Sequence, residues 1–248
     1  MAALKALEID PSLAEGHAAL AATHLCYDWD WAATETELRR ALELNPNYPP
    51  AHQWYSLLFA VRGQLEEALG AAKRAQELDL LAPYPGTLVG QILYYARRYD
   101  QARDQLRTVV ERDPNFALAH YWLGRAFLAE GVYADALEEL QAAVRLSDRT
   151  PVMLGSLGYS YGVAGRGGEA QTLLEELQEL SRRRYVPAYN RAEIYAGLGQ
   201  RDKALEWLAR ARDERTDLLI FLNVDPVWDS LRSDPRFQDL LRRMNFPP

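Results

Sequence analysis

Several stretches of this 248-residue chain hold residue types that could do chemistry. Gly158-Tyr159-Ser160-Tyr161-Gly162 fits the G-x-S-x-G pattern, which in hydrolases exposes a serine nucleophile on a sharp turn between a strand and a helix. No strand pattern precedes it, and Gly158 and Tyr161 fall on a longer periodicity that places the motif inside a helix, so a nucleophile elbow is excluded. Gly165-Arg166-Gly167-Gly168 could cradle phosphate through backbone N–H groups, yet it follows no strand and no Lys-Ser/Thr comes after it. It reads as a turn between helices. His17, His24, Cys26 and Asp28 offer nitrogen, sulfur and oxygen donors to a metal, but without CxxC or HExxH spacing. His52 and His120 stand two repeat lengths apart, which favours a structural role. The acid pairs Glu66-Glu67, Glu138-Glu139 and Glu175-Glu176 recur with the repeat and read as solvated helix faces. No catalytic set, metal or cofactor is therefore expected.

The elements that position these residues follow from a 34-residue step. Ser56, Gly90, Gly124, Gly158 and Ala192 form one small-residue series, and Ala68, Ala102, Ala136, Ala170 and Ala204 form another. Small side chains at such spacing let two antiparallel helices of one unit approach closely. Apolar residues keep the same step: Phe59, Leu93, Phe127, Tyr161 and Tyr195 in the first helix, and Leu38, Ala72, Leu106, Leu140, Leu174 and Leu208 in the second. Pro11, Pro46 and Pro114 end second helices, because the residue before a proline is driven out of the α region. Two departures stand out. The unit from Pro11 to Pro46 is one residue longer, with the surplus in the turn "CYDWDW", where Asp28 or Asp30 can cap the next helix. Arg191 takes a place held elsewhere by Tyr55, Val89, Leu123 and Leu157, so the sixth unit is expected to pack most loosely.

With 35 acidic against 28 basic residues and a net charge of −7, the chain is a poor match for nucleic acid. The basic run Arg182-Arg183-Arg184 reads as a solvated turn suited to a helix C-terminus. A lone Cys26 excludes an internal disulfide framework, and neither a membrane-length apolar run nor a signal-peptide layout is present, so a cytoplasmic location is expected. Met1–Asp10 reads as the second helix of a pair whose first helix is missing, so the chain is read as a piece of a longer array. Asp225-Pro226 and Asp234-Pro235 each pair an N-cap with proline at the first helical position, and Pro235–Met244 is expected to be a capping helix that ends at "NFPP".

The chain resembles the tetratricopeptide repeat family over roughly 15–218, in six units of which Ala117–Thr150 is the best copy, with Leu123, Gly124, Phe127, Ala136, Leu140 and Ala143 in family positions. The resemblance implies an all-α fold, a right-handed α-solenoid of antiparallel helix pairs with a C-terminal capping helix. Its divisions are a truncated helix at 1–14, repeats at 15–48, 49–82, 83–116, 117–150, 151–184 and 185–218, and a C-terminal turn and capping helix at 219–248. It also implies a non-enzymatic protein-binding scaffold that takes a peptide or partner helix on its concave wall. Carried over residue by residue, that wall comprises Gln53, Trp54 and Leu57, then Gln91, Tyr94 and Tyr95, then Tyr121, Trp122 and Arg125, then Tyr159, and finally Tyr189, Asn190 and Glu193. Aromatic side chains with polar tips suit peptide capture. The lysine- and asparagine-rich clamp of family members that grip acidic chain ends is missing, which disfavours chaperone tails. The segments "YDWDWAATETELRRALELNPNY" and "DPVWDSLRSDPRFQDLLRRM" resemble repeat regions of bacterial signalling and regulatory proteins. Two other readings stay open: a standalone scaffold that self-associates through an N-terminal edge where Leu4 and Leu7 are uncovered, and an enzyme with its site in the groove. Neither nucleic acid nor membrane is expected as a partner of this region.

Overall fold

The computed structural model describes residues 2–246; Met1 and the closing Pro247 and Pro248, to which two of the expectations above extend, lie outside the described residues. Every regular element among them is helical. The pairs are α2 (Ala14–Thr23) with α3 (Trp31–Leu44), α4 (Pro49–Val61) with α5 (Leu65–Leu78), α6 (Pro83–Tyr95) with α7 (Tyr99–Arg112), α8 (Ala117–Ala129) with α9 (Tyr133–Leu146), α10 (Pro151–Val163) with α11 (Gly167–Leu180), and α12 (Ala188–Gly197) with α13 (Arg201–Asp213). A short α1 (Ala2–Ile9) packs on α2, with Leu7 against Gly16. The first helices of successive pairs touch in sequence, α4 on α6, α6 on α8, α8 on α10 and α10 on α12, and so build the inner wall.

The small-residue series explains the close approaches, with one change of partner. A Cβ added at Gly90 would meet Leu106 at 2.4 Å, and one at Gly124 would meet Leu140 at 2.6 Å, each within its own pair. At Gly158 the obstruction is Ile194 of the next unit, at 2.6 Å. Gly162 and Gly197 bring α10 and α12 together almost backbone to backbone: a Cβ on Gly162 would lie 2.5 Å from the Gly197 carbonyl carbon, and one on Gly197 would lie 2.3 Å from the Tyr159 carbonyl oxygen. The glycines of the apparent serine motif therefore serve helix packing. Ser160 Oγ donates to the Ser156 carbonyl at 2.8 Å within α10, as a helical serine does.

The longer first unit absorbs its extra residue as a π-helical turn over His24–Asp28, followed by Trp29 in the left-handed region at φ 55°. Asp30 supplies the cap, accepting from Ala33 N at 2.9 Å. Gly165, with φ 76°, closes the turn before α11 in the way a left-handed glycine ends a helix.

The histidines form a repeated clasp. His17, His52 and His120 each stand six residues after the proline that ends the preceding helix. Their Nε2 atoms lie 3.1, 2.9 and 2.9 Å from the carbonyls of Pro11, Pro46 and Pro114. Nδ1 of His17 and of His120 lies 2.6 Å from Glu37 and Glu139, respectively. Some acids read as free surface are thus engaged: Glu139 holds His120, Glu66 pairs with Arg98, and Glu176 takes both ends of Arg149 at 2.7 and 2.6 Å. Glu67, Glu138 and Glu175 remain exposed.

After α13 the chain does more than cap. Two 3₁₀ helices (Asp217–Phe221 and Pro226–Leu231) precede α14 (Pro235–Arg243), and the N-caps expected at Asp225 and Asp234 are formed, with bonds from Val227 N at 3.1 Å and Arg236 N at 2.9 Å. The first 3₁₀ helix touches α4 and the turn after α2, and the second touches α12. The α14 helix packs on α13, and just beyond it the Asn245 carbonyl accepts from Trp31 Nε1 at 2.7 Å. The last segment therefore ties the final pair back to the first. Trp228 and Phe237 are completely buried in it, worth about 1.5–3 kcal/mol for a phenylalanine side chain alone.

Candidate partner-binding site on the concave wall

The inner wall is aromatic because α6 and α8 present Tyr94, Tyr95, Tyr121 and Trp122 at adjacent helical positions. Trp122 meets Tyr94, Tyr95 and Tyr121 at ring-centroid distances of 5.5, 5.5 and 5.0 Å. At their centre is Arg125, one turn after Tyr121 and only 2% exposed. Its Nη2 atom donates to both carboxylate oxygens of Asp225 at 2.7 and 2.8 Å. Its Nη1 atom donates to the Tyr121 hydroxyl at 2.6 Å and to Glu193 at 3.2 Å. The guanidinium also lies over the rings of Tyr94, Tyr121 and Trp122 at 5.1, 5.3 and 5.1 Å. Such contacts offset part of the desolvation that a buried cation suffers.

The charge balance of this cluster follows from burial. Desolvation opposes the Arg125 charge, but Asp225, then Tyr121, Tyr94 and Glu193, hold the guanidinium ionised well above its ordinary range. Glu193, also fully buried, is pushed up to about 8 by desolvation, against the pull of Arg125 and with the help of Asp225. At neutral pH Glu193 is then largely the neutral acid beside the Arg125 cation. Burial likewise raises the hydroxyls of Tyr94, Tyr95, Tyr121 and Tyr189, so all four stay protonated.

The C-terminal segment lies against the wall. Phe221 stacks on Tyr95 at 5.2 Å and 29°, Trp228 meets Tyr189 edge-on at 5.4 Å and donates to its hydroxyl at 3.3 Å, and Asp225 reaches Arg125. Between wall and segment remains a cavity of about 200 Å³. Of the side chains assigned from the sequence, Trp54, Leu57, Gln91, Tyr95, Tyr121, Trp122 and Tyr189 line it. Gln91 donates to the Tyr95 hydroxyl at 3.4 Å. Tyr94 and Arg125 sit behind it in the charge cluster, and Tyr159 is half-buried against the core. Gln53 is half-buried and lines no part of the cavity. Asn190 is turned away from it: its Cβ would lie 3.0 Å from a Cβ on Gly155, in the contact of α12 with α10, and both its amide atoms lack hydrogen-bond partners among the described residues.

Sequence reasoning missed Asp225, which reads locally as a helix cap and is that as well as the Arg125 partner. It also missed Tyr84, Leu118 and Val152 on the cavity lining. These keep the 34-residue step, so their periodicity was present to be read. Cys26 lines the cavity too, but burial, and secondarily Asp217, push its thiol up to about 11, which makes it a poor nucleophile at neutral pH. No group of three or more His, Cys, Asp or Glu residues suited to a metal occurs among the described residues.

Residues 89–151 match the sequence model of the tetratricopeptide repeat. Among curated proteins the chain is similar to anaphase-promoting complex subunit 3 of Schizosaccharomyces pombe, 23% identical over 164 residues, covering 66% of this chain and 25% of that protein. The chain thus spans about a quarter of the length of that relative. Among solved structures, the APC/C hetero-tetramer Cut9–Hcn1 superposes with a TM-score of 0.66 at 17% identity, covering 98% of this chain and 44% of that one. PilW, a type IV pilus biogenesis factor, superposes with a TM-score of 0.61 at 14% identity, covering 92% of this chain and 98% of the other. No catalytic family is indicated. Residues 89–151 carry tetratricopeptide repeat sequence, and the described chain has the helical solenoid fold of tetratricopeptide repeat proteins.

Proposed function

We propose that this chain is a non-enzymatic protein-interaction module that takes an apolar side chain of a peptide or partner helix into the cavity on its concave wall. The observation that carries this reading is the cavity itself, about 200 Å³ with aromatic and aliphatic walls, left open although the chain's own C-terminal segment lies against Tyr95, Arg125 and Tyr189 of the wall. The segment acts as built-in ligand and leaves room for one or two side chains. The resemblance to repeat regions of bacterial signalling and regulatory proteins supports a place in such a protein, and the lone cysteine fits the cytoplasm. No described helix is long and apolar enough to cross a membrane.

The test is a peptide-display selection against the intact chain, followed by titration of the selected peptides by fluorescence anisotropy. Trp54→Ala and Tyr84→Ala, each checked by circular dichroism, should weaken binding by about tenfold or more, as loss of an aromatic anchor does. Glu138→Lys on the exposed outer face should leave it unchanged. Peptides that bind both aromatic variants as tightly as the parent would place the site elsewhere.

A second reading, self-association through the N-terminal edge, rests on α1, where Leu4 is 50% and Ile9 86% exposed while Leu7 is partly covered by α2. Leu4→Glu with Ile9→Glu should then reduce any concentration-dependent sedimentation; a parent chain that stays monomeric would remove this reading.

A further inference from the structure

A second cleft, of about 440 Å³, lies away from the concave cavity, between α11, the turn that follows it, α12 and α13. Its floor holds Arg191, the residue that breaks the apolar series of Tyr55, Val89, Leu123 and Leu157. Arg191 is only 8% exposed, and its hydrogen bond runs from Nη2 to the Leu177 carbonyl at 3.0 Å. No carboxylate pairs with it among the described residues. Instead, its guanidinium lies over the Trp207 ring at 4.7 Å, and that of Arg210 lies over the same ring at 5.0 Å. One acid of the lining is committed elsewhere: Glu214 accepts from Arg210 at 3.0 Å, from Ala188 N at 3.0 Å and from the Tyr185 hydroxyl at 3.1 Å, which organises the turn into α12.

Packing alone does not call for this arginine. The equivalent Val89, Leu123 and Leu157 are buried without cost in polar groups, whereas a buried cation with no counter-ion is unfavourable unless something neutralises it. Burial, and next the neighbouring Arg210, already disfavour the charged form of Arg191. Around it the cleft adds Arg184, which also lacks a carboxylate partner among the described residues and donates to the Arg149 carbonyl at 3.1 Å, and the amide of Gln178. Glu175 on the α11 rim is the one acid in the lining not engaged by a donor among the described residues. Planar donors next to an aromatic face, with an apolar wall, are suited to a carboxylate or phosphate oxygen.

We propose that the cleft between α11 and α13 is a binding site for an anionic group, a carboxylate or a phosphate, carried by a peptide partner, with Arg191 as its buried counter-charge and Trp207 as its wall. This site is independent of the concave cavity and stands or falls separately from it.

The experiment follows the indole N–H signals of the intact chain by heteronuclear NMR, with the Trp207 signal assigned through Trp207→Phe. Sodium phosphate and sodium acetate are titrated in turn, with sodium chloride at matched ionic strength as the control. The Trp207 signal should move saturably with at least one of the two oxyanions and not with chloride. Movement with phosphate alone points to a phosphorylated side chain, and movement with acetate as well points to a carboxylate. Arg191→Leu restores the residue type of the other repeats, so it should fold at least as stably as the parent and lose the saturable shift. Arg191→Gln gives a second chain without the charge if the leucine variant repacks, and Glu175→Gln should tighten binding by removing the competing acid. No saturable shift with either oxyanion, or an undiminished shift in both Arg191 variants, would overturn the proposal.

Discussion

Arg125 is buried and spends its guanidinium on partners within the chain. The two hydrogen bonds from its Nη2 to Asp225 join positions 100 residues apart, inside a cage of tyrosine and tryptophan rings. Removing one member of a buried pair leaves the other charge without compensation, so Arg125→Met and Asp225→Asn are each expected to cost about 3–5 kcal/mol in urea unfolding. The double variant should lose clearly less than the two losses combined, since the second change removes the orphaned charge. Additive losses would show that the two side chains are not coupled. Glu193 adds a pH dependence of known sign. Its folded pKa of about 8 lies above the ordinary glutamate value of 4.5, so its contribution to stability is intact below 4.5 and is lost as pH rises toward about 8. Glu193→Gln should therefore gain stability relative to the parent across that window and level off above it; a constant difference from acid to alkaline pH would contradict the burial of this carboxyl.

At the scale of helices, the closest contact is between α10 and α12, where two glycines bring backbones together. Gly197→Ala has no flexible side chain to displace, only the Tyr159 backbone at 2.3 Å, and should cost about 1–3 kcal/mol by overpacking. Gly70, inside α5 with open space around its Cβ direction, makes the opposite case: Gly70→Ala should gain about 0.5–1 kcal/mol from helix propensity. Thermal melts of the two variants moving in the same direction would mean that the helix contacts are misassigned. These elements were legible in the sequence because a repeat states its small positions several times, and an alanine or glycine that returns every 34 residues marks the place where two helices must come close. Of the proline-to-histidine clasp only the spacing of His52 and His120 was read; His17, set among possible metal donors, shares the same offset from its proline, and the structure shows that each ring reaches back to the proline carbonyl. The α10–α12 contact was not legible. Gly158 keeps the same register whether it faces its own pair or the next, and spacing alone does not separate the two.

For the whole molecule, the decisive feature is the path of the chain after α13. Residues 217–231 form two short 3₁₀ helices without the periodicity that identifies a long amphipathic helix, and their partners lie far away in sequence, so the segment read as a simple end cap. In the structure it lies along the concave wall, and beyond α14 the chain meets Trp31 of the first pair. A repeat array normally responds to change repeat by repeat, but this tie links the ends. Amide hydrogen exchange on the intact chain tests the arrangement most directly. Amides of residues 217–231 that exchange as slowly as those of α6 and α8 are the expected result, whereas exchange of that segment at the rate of unstructured chain, with α6 and α8 still protected, would contradict it.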